Sequence, residues 1–177
     1  MAAGVTAALG GFDQVVPPPV DPIPVAVGEQ FDGGFWLVTI ESAEIGFNLR
    51  DFQDSGEDRT LVLQVNARVE VTDDRTRRLS EVLDLDGVDG VRESILNPTG
   101  VSLRDNSPVD TLQPGLPVQV AVLWALDARP TVPDSVTVLV NSLIRRDEFF
   151  EFTGNTIEAE EPSGSITVPV QDRTGTT

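Results

Sequence analysis

"TLQPGLPVQVAVLWAL", residues 111–126, joins a Pro-Gly pair to a nearly unbroken apolar run. Pro114 presets φ for a turn, and Gly115 permits a positive φ if the turn requires one. Successive side chains of a strand point to opposite faces, and in this run both sets of alternate positions are largely apolar. One face consists of Val118, Val120, Val122, Trp124 and Leu126. The stretch therefore predicts a strand in the centre of a sheet.

Four other stretches also have strand patterns. "TLVLQVNARVEV", residues 60–71, alternates apolar and mostly polar positions, which predicts a strand with one buried face. Further strands are predicted within residues 35–45, 135–144 and 164–170, the last with Pro169 at a position that suits an edge strand. Helical spacing occurs only in residues 75–88, where it predicts a turn or two before Gly87. Together these patterns predict an all-β fold of about seven strands in an antiparallel β-sandwich with little helix.

The composition excludes many kinds of active site. The chain has 29 acidic and 12 basic residues, a formal net charge of −17, and all of its basic residues are arginine. It contains no Lys, His, Cys or Tyr, so a Ser-His triad, a Cys-His pair, an ordinary structural zinc site and Schiff-base chemistry are all excluded. Carboxylates, hydroxyls and oxygen ligands for a cation such as calcium remain. We expect no enzymatic activity and no cofactor, and the charge argues against nucleic acid or anionic lipid as the main partner.

Both ends of the chain are predicted to lie outside the domain. Residues 1–12, "MAAGVTAALGGF", are apolar and uncharged, and fit either a frayed terminus or the last turns of a transmembrane helix. Residues 13–24 contain five prolines and predict an extended linker, with an arm along the domain surface as the alternative. The β-sandwich domain is predicted over residues 25–170, followed by a flexible tail over residues 171–177.

The densest acidic cluster, "DLDGVDG" at residues 84–90, suggests a calcium loop, but its spacing does not fit one. If Asp84 is position 1 of an EF-hand loop, position 6 is Asp89 instead of Gly and position 12 is Ile95 instead of Glu. A solvated turn is therefore the favoured interpretation. The candidate metal ligands are Asp84, Asp86 and Asp89.

Two further motifs have a functional and a structural interpretation. "DSG" at residues 54–56 is similar to the aspartic-protease signature, but polar neighbours indicate an exposed loop. "RDEFFEF" at residues 146–152 groups three phenylalanines between acids, which suits a partner-binding patch. The favoured alternative is a short strand that buries Phe150 and Phe152 or a wrapping loop that buries one ring, because the core needs most of the few aromatic residues. The candidates for partner binding are Phe149, Phe150 and Phe152.

Four stretches resemble actinobacterial proteins of unknown function that have one N-terminal transmembrane helix and an extracytoplasmic β-domain. These are "VAVGEQFDGGFWLVTIESAEI", "RTLVLQVNARVEVTDDRTR", "LQPGLPVQVAVLWALD" and "SITVPVQDR", which cover most of residues 25–173. More distantly, the chain resembles immunoglobulin-like domains of secreted actinobacterial antigens and lipoproteins. The resemblance implies an immunoglobulin-like β-sandwich, a location outside the cytoplasmic membrane and anchoring by a helix that is largely missing here. It implies no catalytic residues.

These observations lead to three functional hypotheses. The first is a non-enzymatic extracytoplasmic interaction domain that binds another cell-envelope or membrane protein and is tethered through its N-terminus. The second is a calcium-dependent binder or a carboxylate-based hydrolase that uses some of Asp84, Asp86, Asp89 and Asp54. The third is a structural subunit of a larger assembly. Sequence patterns alone do not distinguish an immunoglobulin-like strand order from another Greek-key order.

Overall fold

The computed structural model describes residues 21–52, 59–92, 98–127, 131–146 and 157–175. Almost all regular structure in these residues is β, so the predicted all-β class is confirmed. The strands are β1 Ile23–Pro24, β2 Gln30–Asp32, β3 Trp36–Phe47, β4 Leu61–Val71, β5 Arg77–Arg78, β6 Leu83–Asp86, β7 Thr99–Ser102, β8 Thr111–Leu112, β9 Val118–Leu126, β10 Ser135–Arg146 and β11 Ile157–Asp172. Two single 3-10 turns, Leu49–Asp51 and Leu79–Glu81, complete the regular structure of the described residues.

The strands form one large curled sheet and a small one. The large sheet has the order β6-β10-β11-β3-β4-β9-β7, with β1 added beside β11 and β2 beside β3. The small sheet pairs β5 with β8. Most neighbours are antiparallel, but β11 pairs in parallel with both β3 and β1. The sheet is therefore mixed, which differs from the antiparallel arrangement that the sequence predicts.

The stretch at residues 111–126 folds as its pattern predicts. The amide of Leu116 donates to the carbonyl of Gln113 at 3.3 Å, and Gly115 has φ +68°, as a type II turn with Pro at its second position requires. The amide of Gly115 also donates to the carbonyl of Val71 at 2.8 Å, which joins the turn to the end of β4. β9 then lies between β4 and β7, so its predicted central position is confirmed.

One apolar core is enclosed by the curl of the large sheet. Alternate residues of β3, β4 and β9 line one wall, and residues of β6, β10 and β11 line the other. The indole Nε1 of Trp36 on β3 donates to the carbonyl of Asn141 on β10 at 2.7 Å, a buried bond that joins the two walls. The largest buried side chains include Trp36, Trp124, Ile40, Ile45, Leu63, Leu83, Leu126 and Ile166. Burial of these side chains, each worth about 1.5–3 kcal/mol, is the main favourable term in folding.

The face of β3, β4 and β9 opposite the core, here called the outer face, is partly covered. Val62 and Gln64 of β4 are fully buried there, although alternation predicts exposure for this set of positions. The cover consists of Leu49, Phe52 and Leu103, which pack on a second small apolar cluster that includes Val62 and Leu123. The predicted single buried face therefore holds only for the second half of β4.

The strands extend past both predicted domain boundaries. Ile23 and Pro24, inside the segment predicted as a linker, pair with Gly164 and Ser165 of β11. At the other end, β11 runs to Asp172, and its residues Val170–Asp172 pair with Ala43–Ile45 of β3. Among the described residues, the first strand of the large sheet therefore begins at residue 23 and the last one ends at residue 172.

Two local predictions are also corrected. Pro169 does not mark an edge strand, because β11 has neighbours on both sides; it lies where β11 passes from β10 to β3. Of the helical turns predicted in residues 75–88, the structure has only the 3-10 turn Leu79–Glu81. The residues after it form the edge strand β6. In β6, Leu83 is buried and its neighbour Asp84 is exposed, so strand alternation prevails over the helical spacing.

Candidate functional site

A shallow groove opens where β4, the start of β9 and the loop after β7 meet. It has a volume of about 410 Å³ and is lined by Arg68, Ser102, Arg104, Pro117, Val118 and Gln119. We call it the arginine groove. Arg68, Arg104, Pro117 and Gln119 are all exposed, so the groove is open to solvent along its length.

Arg68 is positioned by the centre of the sheet. It pairs with Thr39 of β3 on one side and with Gln119 of β9 on the other, and the three residues share the uncovered part of the outer face. Directly below, Ala67 and Val69 are fully buried in the core. The backbone of Arg68 is therefore held by two strands, while its side chain extends into solvent.

Arg104 is positioned by a tight loop. The amide of Leu103 donates to the carbonyl of Gln119 at 3.0 Å, and the amide of Ser102 donates to the carbonyl of Ser107 at 2.8 Å. Nη1 of Arg50 also donates to Oδ1 of Asn106 at 2.9 Å, which joins the loop to the turn that covers the outer face. These bonds hold Arg104 beside the start of β9.

Asp105 stabilises the same loop through its carboxylate. Its Oδ1 accepts hydrogen bonds from the hydroxyl of Ser107 at 2.7 Å and from the amide of Ser107 at 3.2 Å. These bonds favour the ionised form, so the pKa of Asp105 is lowered, first by the Ser107 hydroxyl, then by the Ser107 amide and the Ser102 hydroxyl, with a smaller contribution from Arg104.

The two groove arginines differ from other arginines of the chain in their contacts. Arg77 is paired with Asp73, Arg173 with Glu44 at 2.6 Å, and Arg92 with Asp127 at 3.5 Å. Across the part of the chain that the structure describes, the guanidinium groups of Arg68 and Arg104 form no hydrogen bond and no ion pair. Each guanidinium presents five N–H donors in a planar fork that matches a carboxylate or a phosphate. The groove can therefore bind an anionic group.

A smaller pocket lies on the other side of Arg68. It has a volume of about 120 Å³ and is lined by Gln30, Leu37, Thr39, Arg68 and Glu70. Leu37 pairs with Glu70 across β3 and β4, so the pocket follows the outer face along the strands. Arg68 thus separates the arginine groove from a pocket that contains a carboxylate.

The predicted metal ligands do not form a cluster. Asp84 and Asp86 are exposed on β6, and Asp89 is exposed after it. Oδ1 of Asp84 accepts a hydrogen bond from the amide of Leu85 at 2.8 Å. Within the described ranges, no group of three or more acidic residues lies close enough together to hold a metal ion.

The other predicted site residues lie outside the part of the chain that the structure describes. Phe149, Phe150 and Phe152 lie outside the described residues, in the connection between β10 and β11, and Asp54 also lies outside them. Sequence reasoning missed the arginine groove. The alternation in residues 60–71 places Arg68 among the mostly polar positions of its strand, but only the pairing of β4 with β9 and the loop after β7 bring it beside Arg104.

Neither a protein-family model, nor a curated protein, nor a solved structure matches this chain. Among the residues that the structure describes, no helix is long and apolar enough to cross a membrane.

Proposed function

We propose that this chain is a non-enzymatic interaction domain that binds another protein through the uncovered part of its outer face, with the arginine groove as the centre of the contact. The observation that carries this proposal is the pair of guanidinium groups, Arg68 and Arg104, which lie in one open groove without hydrogen-bond or ion-pair partners among the described residues. Arginine is enriched at protein interfaces and among the residues that contribute most binding energy.

The shape of the groove favours a protein or peptide over a small molecule. Sites for small molecules are concave and enclose most of the ligand surface. Here the volume of about 410 Å³ suffices for a small ligand, but four of the six lining residues are exposed. An extended chain that lies along the surface fits such an open groove better, because it does not need to be enclosed.

The groove is also held in place before any partner binds. Arg68 lies on a central strand with a fully buried core beneath it, and Arg104 lies in a loop with several internal hydrogen bonds. Preorganised binding residues lose less conformational entropy on association, which favours binding.

The proposal includes a place and a class of partner. The domain acts outside the cytoplasmic membrane, tethered through its N-terminus, and binds another cell-envelope or membrane protein. Support for this location comes from the resemblance of four stretches to actinobacterial extracytoplasmic proteins and from the proline-rich residues 13–24. The strong negative charge is consistent with a protein partner, because nucleic acid and anionic lipid would be repelled.

An immunoglobulin-like β-sandwich is the finer fold class that we propose. Two walls of the curled sheet enclose one core, which supports it. The parallel pairing of β11 with β3 and β1 is a departure from an antiparallel sandwich. An experimentally determined structure that gives the strand order of the complete chain is the test.

Site-specific photo-cross-linking tests the interaction function. A photo-reactive amino acid is placed at Gln119 in the groove or, as a control, at the exposed Thr167 on β11 in the opposite wall, and is activated in cells of the native organism. We expect one protein to be captured repeatedly from position 119 and not from position 167. Identical products from both positions, or no product from position 119, would contradict the proposal. A reproducible turnover that is lost on replacing one carboxylate would contradict its non-enzymatic part.

A further inference from the structure

We infer that the arginine groove binds an extended peptide segment that carries Asp or Glu side chains. This inference rests on the proposed function, because it names the chemistry of the partner at the same site. The juxtaposition that carries it is Arg68 from the centre of the sheet and Arg104 from the loop after β7, on opposite sides of the start of β9.

Two carboxylates suit the donors of this groove. A guanidinium binds a carboxylate through two parallel charge-assisted hydrogen bonds, which are stronger than neutral ones. Arg68 and Arg104 each have their fork of donors available, because no described residue accepts from them. Between them, Gln119 adds a side-chain amide that can bond to a peptide backbone, whereas the Ser102 hydroxyl already accepts from the amide of Arg104 at 3.2 Å.

The floor of the groove suits a peptide rather than a bare ion. Pro117 and Val118 contribute apolar surface beside the two cations. Burial of this apolar surface under a side chain or a backbone methylene of a peptide is favourable. An inorganic ion cannot bury apolar surface in this way. Val118 is also the first residue of β9, so its position is set by the strand pairing.

The charge of the whole chain restricts the occupant to a short anionic segment. The net charge of the chain is −17. A nucleic acid or an anionic membrane is large enough to face many carboxylates of the protein at once, so the protein surface repels it. The Debye length is about 8 Å at physiological ionic strength, so a peptide bound in the groove interacts mainly with the charges next to it. Two carboxylates, Glu70 and Asp105, lie next to the two arginines. They repel a negative side chain outside the groove, so a bound carboxylate is favoured only in the groove itself.

Nuclear magnetic resonance titration of the full chain tests the inference. The probe is a short capped peptide that alternates Glu with Val, and the matched control peptide has Gln in place of each Glu. The variants are Arg68→Gln with Arg104→Gln, and separately Arg78→Gln. Arg78 is an exposed arginine on β5 that does not line the groove, so it is the control for loss of one positive charge.

We expect the Glu peptide to shift the amide signals of residues around Arg68, Arg104 and Gln119, and the Gln peptide to leave them unchanged. Loss of the charge-assisted bonds in the double variant should weaken binding by about tenfold or more. Arg78→Gln should change the affinity by less than about twofold, as expected for a distant charge under screening. The melting temperatures of all variants are measured to show that each remains folded.

Three results would overturn the inference. Equal binding of the Glu and Gln peptides would remove the role of the carboxylates. Equal weakening by Arg78→Gln would show attraction to overall charge instead of binding in the groove. Binding of phosphatidylglycerol vesicles with the same amide shifts, without binding of the peptide, would identify a membrane surface as the occupant. If the cross-link at Gln119 captures a protein while the Glu peptide does not bind, the interaction function stands and only the acidic chemistry fails.

Discussion

At the residue scale, Arg77 is a charged side chain that the fold buries. Its exposed fraction is 7%, and its guanidinium pairs with Asp73 and lies 5.4 Å from the ring centre of Phe35. A buried charge is tolerated when it is paired and hydrogen-bonded. Asp73 also accepts a hydrogen bond from the amide of Arg75 at 3.3 Å, so one carboxylate stabilises both the turn and the cation.

Asp73→Ala should therefore destabilise the protein by about 1–3 kcal/mol, because it leaves Arg77 buried without this partner. Asp74→Ala is the matched control, since it removes the same charge from the next position, which is exposed, and should change stability by no more than about 0.5 kcal/mol. Urea unfolding followed by tryptophan fluorescence measures both variants, because Trp36 and Trp124 are buried. Equal effects of the two substitutions would show that the pair with Arg77 contributes nothing specific.

Two exposed carboxylates of the chain have the same local arrangement. Asp105 accepts from the hydroxyl and amide of Ser107, and Asp172 accepts from the hydroxyl and amide of Thr174. In both cases these bonds lower the pKa below the ordinary value of 3.8. A lowered pKa means that the stabilising contribution is fully present above pH 3.8 and is lost as the pH falls through the pKa of the folded state.

Ser107→Ala should raise the pKa of Asp105 toward its ordinary value and leave that of Asp172 unchanged. Thr174→Ala should do the reverse, so each variant is the control for the other. Carboxyl carbon shifts recorded as a function of pH give both values directly. A pKa of Asp105 that is unchanged by Ser107→Ala would show that the hydroxyl bond does not hold the loop of the arginine groove.

At the element scale, β7 shows how a short strand is fixed by close packing. It has only four residues, pairs with β9, and lies against the segment around Val109, whose amide donates to the carbonyl of Gly100 at 2.9 Å. The space at Gly100 is too small for a side chain, since a Cβ there would lie 2.3 Å from Cδ2 of Leu79 and 2.4 Å from the carbonyl oxygen of Val109. β7 is therefore held between β9 and a backbone segment, and the loop that carries Arg104 begins directly after it.

Gly100→Ala should destabilise the protein by about 1–3 kcal/mol, because the added methyl group meets a backbone carbonyl that cannot move away easily. Gly175→Ala is the control, since a Cβ at that position meets no atom within 4 Å. The urea midpoint of each variant is the measurement. Wild-type stability of Gly100→Ala would mean that β7 packs less closely than the structure describes.

At the scale of the whole molecule, the negative charge lies mainly on the surface and the apolar core lies inside the curled sheet. The core is apolar and lies inside the curl, whereas the net charge of −17 arises from an excess of carboxylates over arginines, and many of these carboxylates are exposed. Self-repulsion of these charges destabilises the folded state and is reduced by salt. Any effect of calcium on stability therefore has to be compared with sodium chloride of equal ionic strength.

Millimolar calcium should leave the melting temperature at the value measured in sodium chloride of equal ionic strength. Asp84 and Asp86 are exposed on an edge strand, and Asp84 is already bonded to the amide of Leu85, so they do not provide the 6–8 oxygens that calcium takes. A site filled to a hundred times its Kd would add about 2.7 kcal/mol of stability, which a thermal melt would detect. A specific increase with calcium would support the metal-binding hypothesis.

Local chemistry along the chain determined the long strands, the core-facing side of β4 and one turn. The alternation in residues 60–71 and the apolar run in residues 118–126 predict β4 and β9 because strand side chains point alternately to two faces. The Pro-Gly pair before β9 forms its turn because Gly115 can adopt φ +68°. The core side of β4 follows from the same alternation without any knowledge of its neighbours.

The tertiary structure alone decided the pairing of distant strands, the cover of the outer face and the arginine groove. The parallel pairing of β11 with β3 joins residues 170–172 to residues 43–45, and alternation within one strand does not specify its neighbour. Val62 is buried on the outer face only because Leu49, Phe52 and Leu103 pack nearby. Arg68 and Arg104 are separated by 35 intervening residues along the chain and lie in one groove because β4 and β7 both pair with β9. Such contacts depend on which distant segments meet, and local patterns carry no information about that.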